Sequence, residues 1–170
     1  MGHIMITESR EQKGYSLIEL VVALALVGIL GAGSTIFTMQ TITESRRSNF
    51  HTQAIQQLEN IGFWVSRDVQ MAQNVTLGPN AGFPLTANWT DENDNNFVVT
   101  FNINGSQIQR SVVENGGVPL QTILAQSINP SPALTNCNYT NNLLTLNATA
   151  TLGDWSLSRT YQIKKRPGAL

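Results

Sequence analysis

Hydrophobic side chains fall into three successive patterns along this chain, and each predicts a different element. From Tyr15 to Phe37 they are almost unbroken, with Leu17, Ile18, Leu20, Val21, Val22, Leu24, Leu26, Val27, Ile29, Leu30 and Ile36. As a helix this run reaches roughly 34 Å at about 1.5 Å per residue, enough for a bilayer core of about 30 Å. From Phe50 onward the apolar positions thin to Phe50, Ala54, Leu58, Ile61, Val65, Val69 and Ala72, spaced by threes and fours, while Gln53, Gln56, Asn60, Arg67 and Asn74 take the other side. That spacing is the stripe of an amphipathic helix, which Phe63 and Trp64 flank and widen. No proline interrupts residues 15–77 and Gly78-Pro79 is a stop signal, so one continuous helix of about 60 residues is predicted. Its weakest stretch is Thr38 to Ser48, where hydroxyls compete for backbone hydrogen bonds.

Beyond residue 78 the period becomes two. Phe97-Val98-Val99-Thr100-Phe101-Asn102-Ile103 alternates and runs into Asn104-Gly105, a favoured pair for a two-residue hairpin. A turn there sets Phe101 opposite Ile108, Phe97 opposite Val112 and Val99 opposite Arg110. A second hairpin turning at Gly153-Asp154 pairs Leu152 with Trp155, Ala150 with Leu157, Leu146 with Tyr161 and Leu144 with Ile163, so that all of them share one face. Arg159 falls on that face opposite Ala148, as Arg110 does in the first hairpin. Both arginines are expected to lay their stems along the sheet and keep their heads in water. Leu120 to Ile128 supplies one more strand. The expected architecture is α+β: a long N-terminal helix, with a membrane half (residues 15–40) and an amphipathic half (residues 41–77), packed on an antiparallel sheet of about five strands built from residues 78–170.

Composition sharpens the contrast between the ends of the 170-residue chain. No charged side chain lies between Glu19 and Glu44, whereas Asn, Thr, Ser and Gln crowd the part after Asn74. Net charge is −1 and the longest basic block is Lys164-Lys165-Arg166, so the electrostatic footprint of a nucleic-acid binder is absent and no nucleic-acid partner is expected. The single cysteine, Cys137, excludes an intrachain disulfide. His3 and His51 are too far apart in the pattern to suggest a zinc pair. Asp91-Glu92-Asn93-Asp94-Asn95-Asn96 offers oxygens that calcium favours but lacks the spacing of an EF-hand, and reads as a solvated loop. No nucleophile and base stand in a recognisable constellation, so no catalytic role and no cofactor is expected.

One residue interrupts the apolar run. Glu19 places a carboxylate where its burial in lipid costs on the order of 2.5–3.5 kcal/mol near the bilayer centre and less toward the interface. Ahead of it lies a polar stretch, residues 1–14, which carries Arg10 and Lys13 and holds Met1 and Met5 as alternative starts. Basic residues beside a span favour the cytoplasmic side, which would place the C-terminal domain outside the cytoplasm.

Lys13-Gly14-Tyr15-Ser16-Leu17-Ile18-Glu19-Leu20-Val21-Val22 resembles the cleavage and methylation motif of type IV pilins and type II secretion pseudopilins. The resemblance covers about 25 residues and is architectural beyond them. It implies that residues 1–14 are a leader removed by a prepilin peptidase after Gly14, that the freed amine of Tyr15 is methylated, and that Glu19, fifth after the cut, serves assembly. The partners it implies are other pilin or pseudopilin subunits, the peptidase, an inner-membrane assembly platform, and membrane lipid before assembly. The location it implies is a single-pass inner-membrane protein that later enters a pilus or pseudopilus. Tyr15 stands where phenylalanine is commoner, and Ile36 where many major pilins carry a helix-kinking proline, which favours a minor subunit. A single-span extracytoplasmic binding protein that never polymerises is the competing expectation, although it leaves Gly14 and Glu19 without roles.

Overall fold

A computed structural model describes Gly14 and residues 16–166, with Thr35 by its backbone alone. The chain divides into two units, Met1–Arg46 and Arg47–Leu170, and one helix, α1 (Leu17–Met71), contributes to both. The second unit continues with eight strands: β1 (Asn74–Gly78), β2 (Gly82–Thr90), β3 (Asn96–Asn104), β4 (Gln107–Glu114), β5 (Leu120–Ala125), β6 (Asn136–Thr140), β7 (Leu143–Leu152) and β8 (Trp155–Lys164). They form two antiparallel sheets, β1-β2-β3-β4-β5 and β6-β7-β8. The α+β layout expected from the hydrophobic pattern is therefore present, but its single five-stranded sheet is replaced by two sheets, and the two predicted hairpins belong to different ones.

The amphipathic stripe holds this unit together. Ala54, Leu58, Ile61, Val65, Val69 and Ala72 are buried, together with Leu85, Val99, Phe101 and Ile108 from the larger sheet and Leu144, Leu146, Ala148 and Ala150 from the smaller. Trp64 packs against this core, whereas Phe63 is exposed and does not widen the stripe as expected. On the side of the larger sheet, Asn60 Nδ2 donates to the Leu124 carbonyl at 2.8 Å, and Gln57 Oε1 accepts the N–H groups of Gln126 and Ser127. On the side of the smaller sheet, the Tyr161 hydroxyl donates to the Leu58 carbonyl at 2.7 Å. Gly62 permits that approach, because an added Cβ would lie 2.3 Å from the Tyr161 ring.

The helix ends at Met71, short of the predicted residue 77. Asn74 to Gly78 form β1, in which Val75 pairs with Ala87 and Leu77 with Leu85. The alternation of Val75 and Leu77 with Asn74 and Thr76 suits a half-buried edge, and the Gln73 N–H donates to the Asn88 carbonyl where the chain reverses. The partner strand β2 was not anticipated, since Gly82 and Pro84 disguise an alternation in which Phe83, Leu85, Ala87 and Trp89 face inward.

The hairpin of β7 and β8 has the predicted register throughout, with Arg159 opposite Ala148. That of β3 and β4 is displaced by two partners: Phe101 faces Arg110, Val99 faces Val112 and Ile103 faces Ile108. Asn104 remains in the strand, and the turn falls on Gly105-Ser106, with Gly105 at φ +58°. A glycine in the first central position is the requirement of a type II′ turn, and a shift by two leaves every side chain on its predicted face.

This register delivers Arg110 to a partner that overturns one expectation. Its Nε and Nη2 donate to the two carboxylate oxygens of Asp68 at 2.6 and 2.9 Å. Asp68 is 1% exposed and Arg110 12%, so this head is not in water. Asp68 sits on the buried side of α1, where an unpaired carboxylate is costly, and a bidentate guanidinium satisfies both oxygens. Trp64 covers the Arg110 guanidinium at 4.5 Å and carries Arg67 at 5.1 Å from the same ring. Arg159 behaves as predicted: it meets Glu59 at 3.3 Å with both side chains well exposed.

Two measurements check this packing. Asp68→Ala leaves a buried guanidinium unpaired and should lower stability by about 3 kcal/mol or more, whereas Asp68→Leu with Arg110→Met should restore most of the loss; thermal unfolding of the detergent-solubilised chain reads both. Cys137 donates to the Gly82 carbonyl, and burial pushes its thiol up to about 12 from an ordinary 9.0. The folded state thus keeps the proton, a contribution present below the unfolded value and lost as pH rises from about 9 toward 12. Maleimide should leave Cys137 unmodified in the folded protein at mildly alkaline pH and label it rapidly in guanidinium.

Candidate functional site

The candidate residues are Gly14, Tyr15 and Glu19. Tyr15 lies outside the described residues, as do Arg10 and Lys13. Gly14 is exposed and precedes the helix, and an added Cβ there would meet nothing within 4 Å. Packing within the described chain therefore gives no reason for a glycine at this position.

Ser16 and Glu19 open α1 together. The Ser16 carbonyl accepts the N–H groups of Glu19 at 3.0 Å and Leu20 at 3.2 Å, which makes Ser16 the N-cap and Glu19 the third helical residue. Ser at the cap with Glu at this spacing is the residue pattern of a capping box, a signal present in the sequence that the reading of Glu19 as an isolated anomaly missed. A carboxylate in the first turn also faces the positive end of the helix dipole.

The helix around Glu19 offers apolar surface on every side. Leu17, Ile18, Leu20, Val21, Val22, Leu24, Leu26, Val27, Ile29 and Leu30 are all exposed, and the helix is long and apolar enough to cross a membrane. At Gly28, Gly31 and Gly33 an added Cβ would meet nothing within 4 Å, so these positions leave shallow places on the helix surface. The stretch expected to be weakest stays helical. Ser34, Thr38, Thr41 and Thr43 donate their hydroxyls to the carbonyls four residues earlier, each at 2.9 Å. That bonding satisfies the donors inside the helix, where lipid would offer them no partner.

The other candidates have structural roles. Asp91 Oδ1 accepts the N–H groups of Asn93 and Asn95, and Oδ2 accepts Asn95 Nδ2; hydrogen bonding from Asn95 holds this carboxyl below its ordinary value. Its oxygens close the loop on itself. Among the described residues no three His, Cys, Asp or Glu side chains cluster as a metal site. His51 rests against the Trp155 ring at 4.8 Å. A cleft of about 320 Å³ beside α1 brings Arg67 and Arg166 next to Phe63, Ser66, Gln70 and Met71.

Comparison with curated proteins and with solved structures yields no match. Comparison with protein families does: residues 9–35 match the prokaryotic N-terminal methylation motif. The match spans the end of the polar stretch from Ser9, Gly14, the Ser16–Glu19 helix start and the apolar helix up to the first back-bonded hydroxyl. This chain carries, at its N-terminus, the methylation motif that marks type IV pilins and pseudopilins.

Proposed function

We propose that the chain is a structural subunit of a type IV pilus or a type II secretion pseudopilus, a minor rather than a major one. The observation that carries this reading is the methylation motif over residues 9–35 set directly on a helix whose apolar side chains are exposed all round. Such a surface needs lipid first and neighbouring helices afterwards, and a filament assembled from the membrane supplies both in turn. Prepilin peptidase cuts between Gly14 and Tyr15 and the new amine is methylated. The C-terminal unit stands outside the cytoplasm, and an inner-membrane platform draws the subunit into the filament. Ile36, in place of a proline, supports the minor assignment.

Glu19 is then asked to do two things. Before assembly it sits in the first turn of α1; in the filament it pairs with the amine of Tyr15 on a neighbour, where low dielectric strengthens the attraction between opposite charges. The reaction assigned to the peptidase is hydrolysis, and no residue of this chain beyond the substrate motif takes part.

Processing is checked by mass spectrometry of the membrane-extracted protein, which should begin at an N-methylated Tyr15; retention of Lys13 would contradict it. The assembly role is separated from the helix-start role by two variants. Glu19→Gln keeps a side chain that a capping box accepts and removes only the charge, whereas Glu19→Val removes both. Both should be inserted and cleaved like the wild type, and both should be lost from sheared filaments to the same extent. Normal incorporation of Glu19→Gln beside failure of Glu19→Val would assign Glu19 to the helix start alone.

A further inference from the structure

Asn-Gly occurs twice in the sequence, at Asn104-Gly105 and Asn115-Gly116, and the two pairs end up in different surroundings. Both asparagines are exposed and both glycines adopt positive φ, +58° at Gly105 and +71° at Gly116. Asn115 is held at both ends of its carboxamide. Its Oδ1 accepts the Asn96 N–H at 2.8 Å, and its Nδ2 donates to Asn95 Oδ1 at 2.9 Å. Asn104 has no such restraint: among the described residues its side chain makes no hydrogen bond, and no atom lies within 4 Å of the place a Cβ would take on Gly105.

We infer that Asn104 is a site of spontaneous deamidation in the folded protein and that Asn115 is protected. The reaction needs no enzyme and only water as co-reactant. The Gly105 backbone nitrogen, on losing its proton, attacks Asn104 Cγ; the new C–N bond forms, the Cγ–Nδ2 bond breaks, and ammonia leaves a five-membered succinimide. Water then opens the ring at either carbonyl, giving aspartate or isoaspartate. Glycine at 105 is what allows the approach, since any Cβ would crowd the attacking nitrogen and restrict the backbone rotation that brings it to Cγ. At Asn115 the same swing of the carboxamide first has to break two hydrogen bonds, which slows it by roughly tenfold or more.

The change falls at the hairpin tip. Asn104 pairs with Gln107 in the last rung before the turn, and the next rung, Ile103 with Ile108, is the first that reaches the core. The Ser106 carbonyl is also tethered by the Ile128 N–H at 2.8 Å. The chain thus changes from a net charge of −1 to one unit more negative at a hairpin tip, without exposing apolar surface.

The test is to hold the full-length, detergent-solubilised protein at mildly alkaline pH and map its peptides by mass, with isoaspartyl methyltransferase labelling as a second readout. The peptide holding Asn104 should gain one mass unit and accept methyl groups while that holding Asn115 lags roughly tenfold or more behind, and Asn104→Ser should abolish the accompanying acidic shift. In guanidinium the two sites should react at similar rates, because only the fold distinguishes them. Equal rates in the folded protein, or an inert Asn104 in a folded chain whose unfolded form reacts, would overturn the assignment.

Discussion

The buried stripe of α1 is the constraint on which the rest of the C-terminal unit depends. Both sheets contribute apolar side chains to one core, and the buried residues of α1 from Ala54 to Ala72 belong to it. Burial of this kind is non-directional, so it cannot alone fix how far along the helix each sheet sits. Polar contacts do that. Asp68 with Arg110 ties the helix to β4, Gln57 and Asn60 tie it to β5 and the chain just beyond, and the Tyr161 hydroxyl ties it to β8. Gly62 lets the last of these come close enough to form.

The same helix meets the opposite requirement before Arg46. There the apolar side chains cover the whole circumference, and the described chain buries none of this apolar window. A backbone that satisfies its own hydrogen bonds is what such surroundings demand, and the hydroxyls of Ser34, Thr38, Thr41 and Thr43 do the same by bonding back to the helix. The two halves share a hydrogen-bonding pattern and differ only in where their apolar side chains point. That difference separates a helix segment whose apolar side chains are all exposed from one whose apolar stripe is buried.

Glu19 joins the two themes. Its backbone N–H bonds the Ser16 carbonyl, which sets its carboxylate in the first helical turn, at the positive end of the helix dipole. A carboxylate in the first helical turn is placed more favourably than one in the middle of an apolar helix.

Much of this was legible from the residues alone, and the parts that were share a cause. The apolar run of α1 from Leu17, the stripe from Ala54 and the register of β7 with β8 each repeat at a period dictated by local backbone geometry, so a linear string is enough to read them, although Phe50, expected to open the stripe, is exposed. The N-terminal motif is likewise contiguous. What the tertiary structure decided was which elements share a sheet, where α1 gives way to β1, and how buried polar groups find partners. Val75 and Leu77 suit a strand only because Ala87 and Leu85 are there to pair with. The turn moved from Asn104-Gly105 to Gly105-Ser106 in a register that also sets Arg110 against Asp68, residues 42 positions apart. Pairings over such distances depend on which surfaces packing brings together, and no local period encodes them.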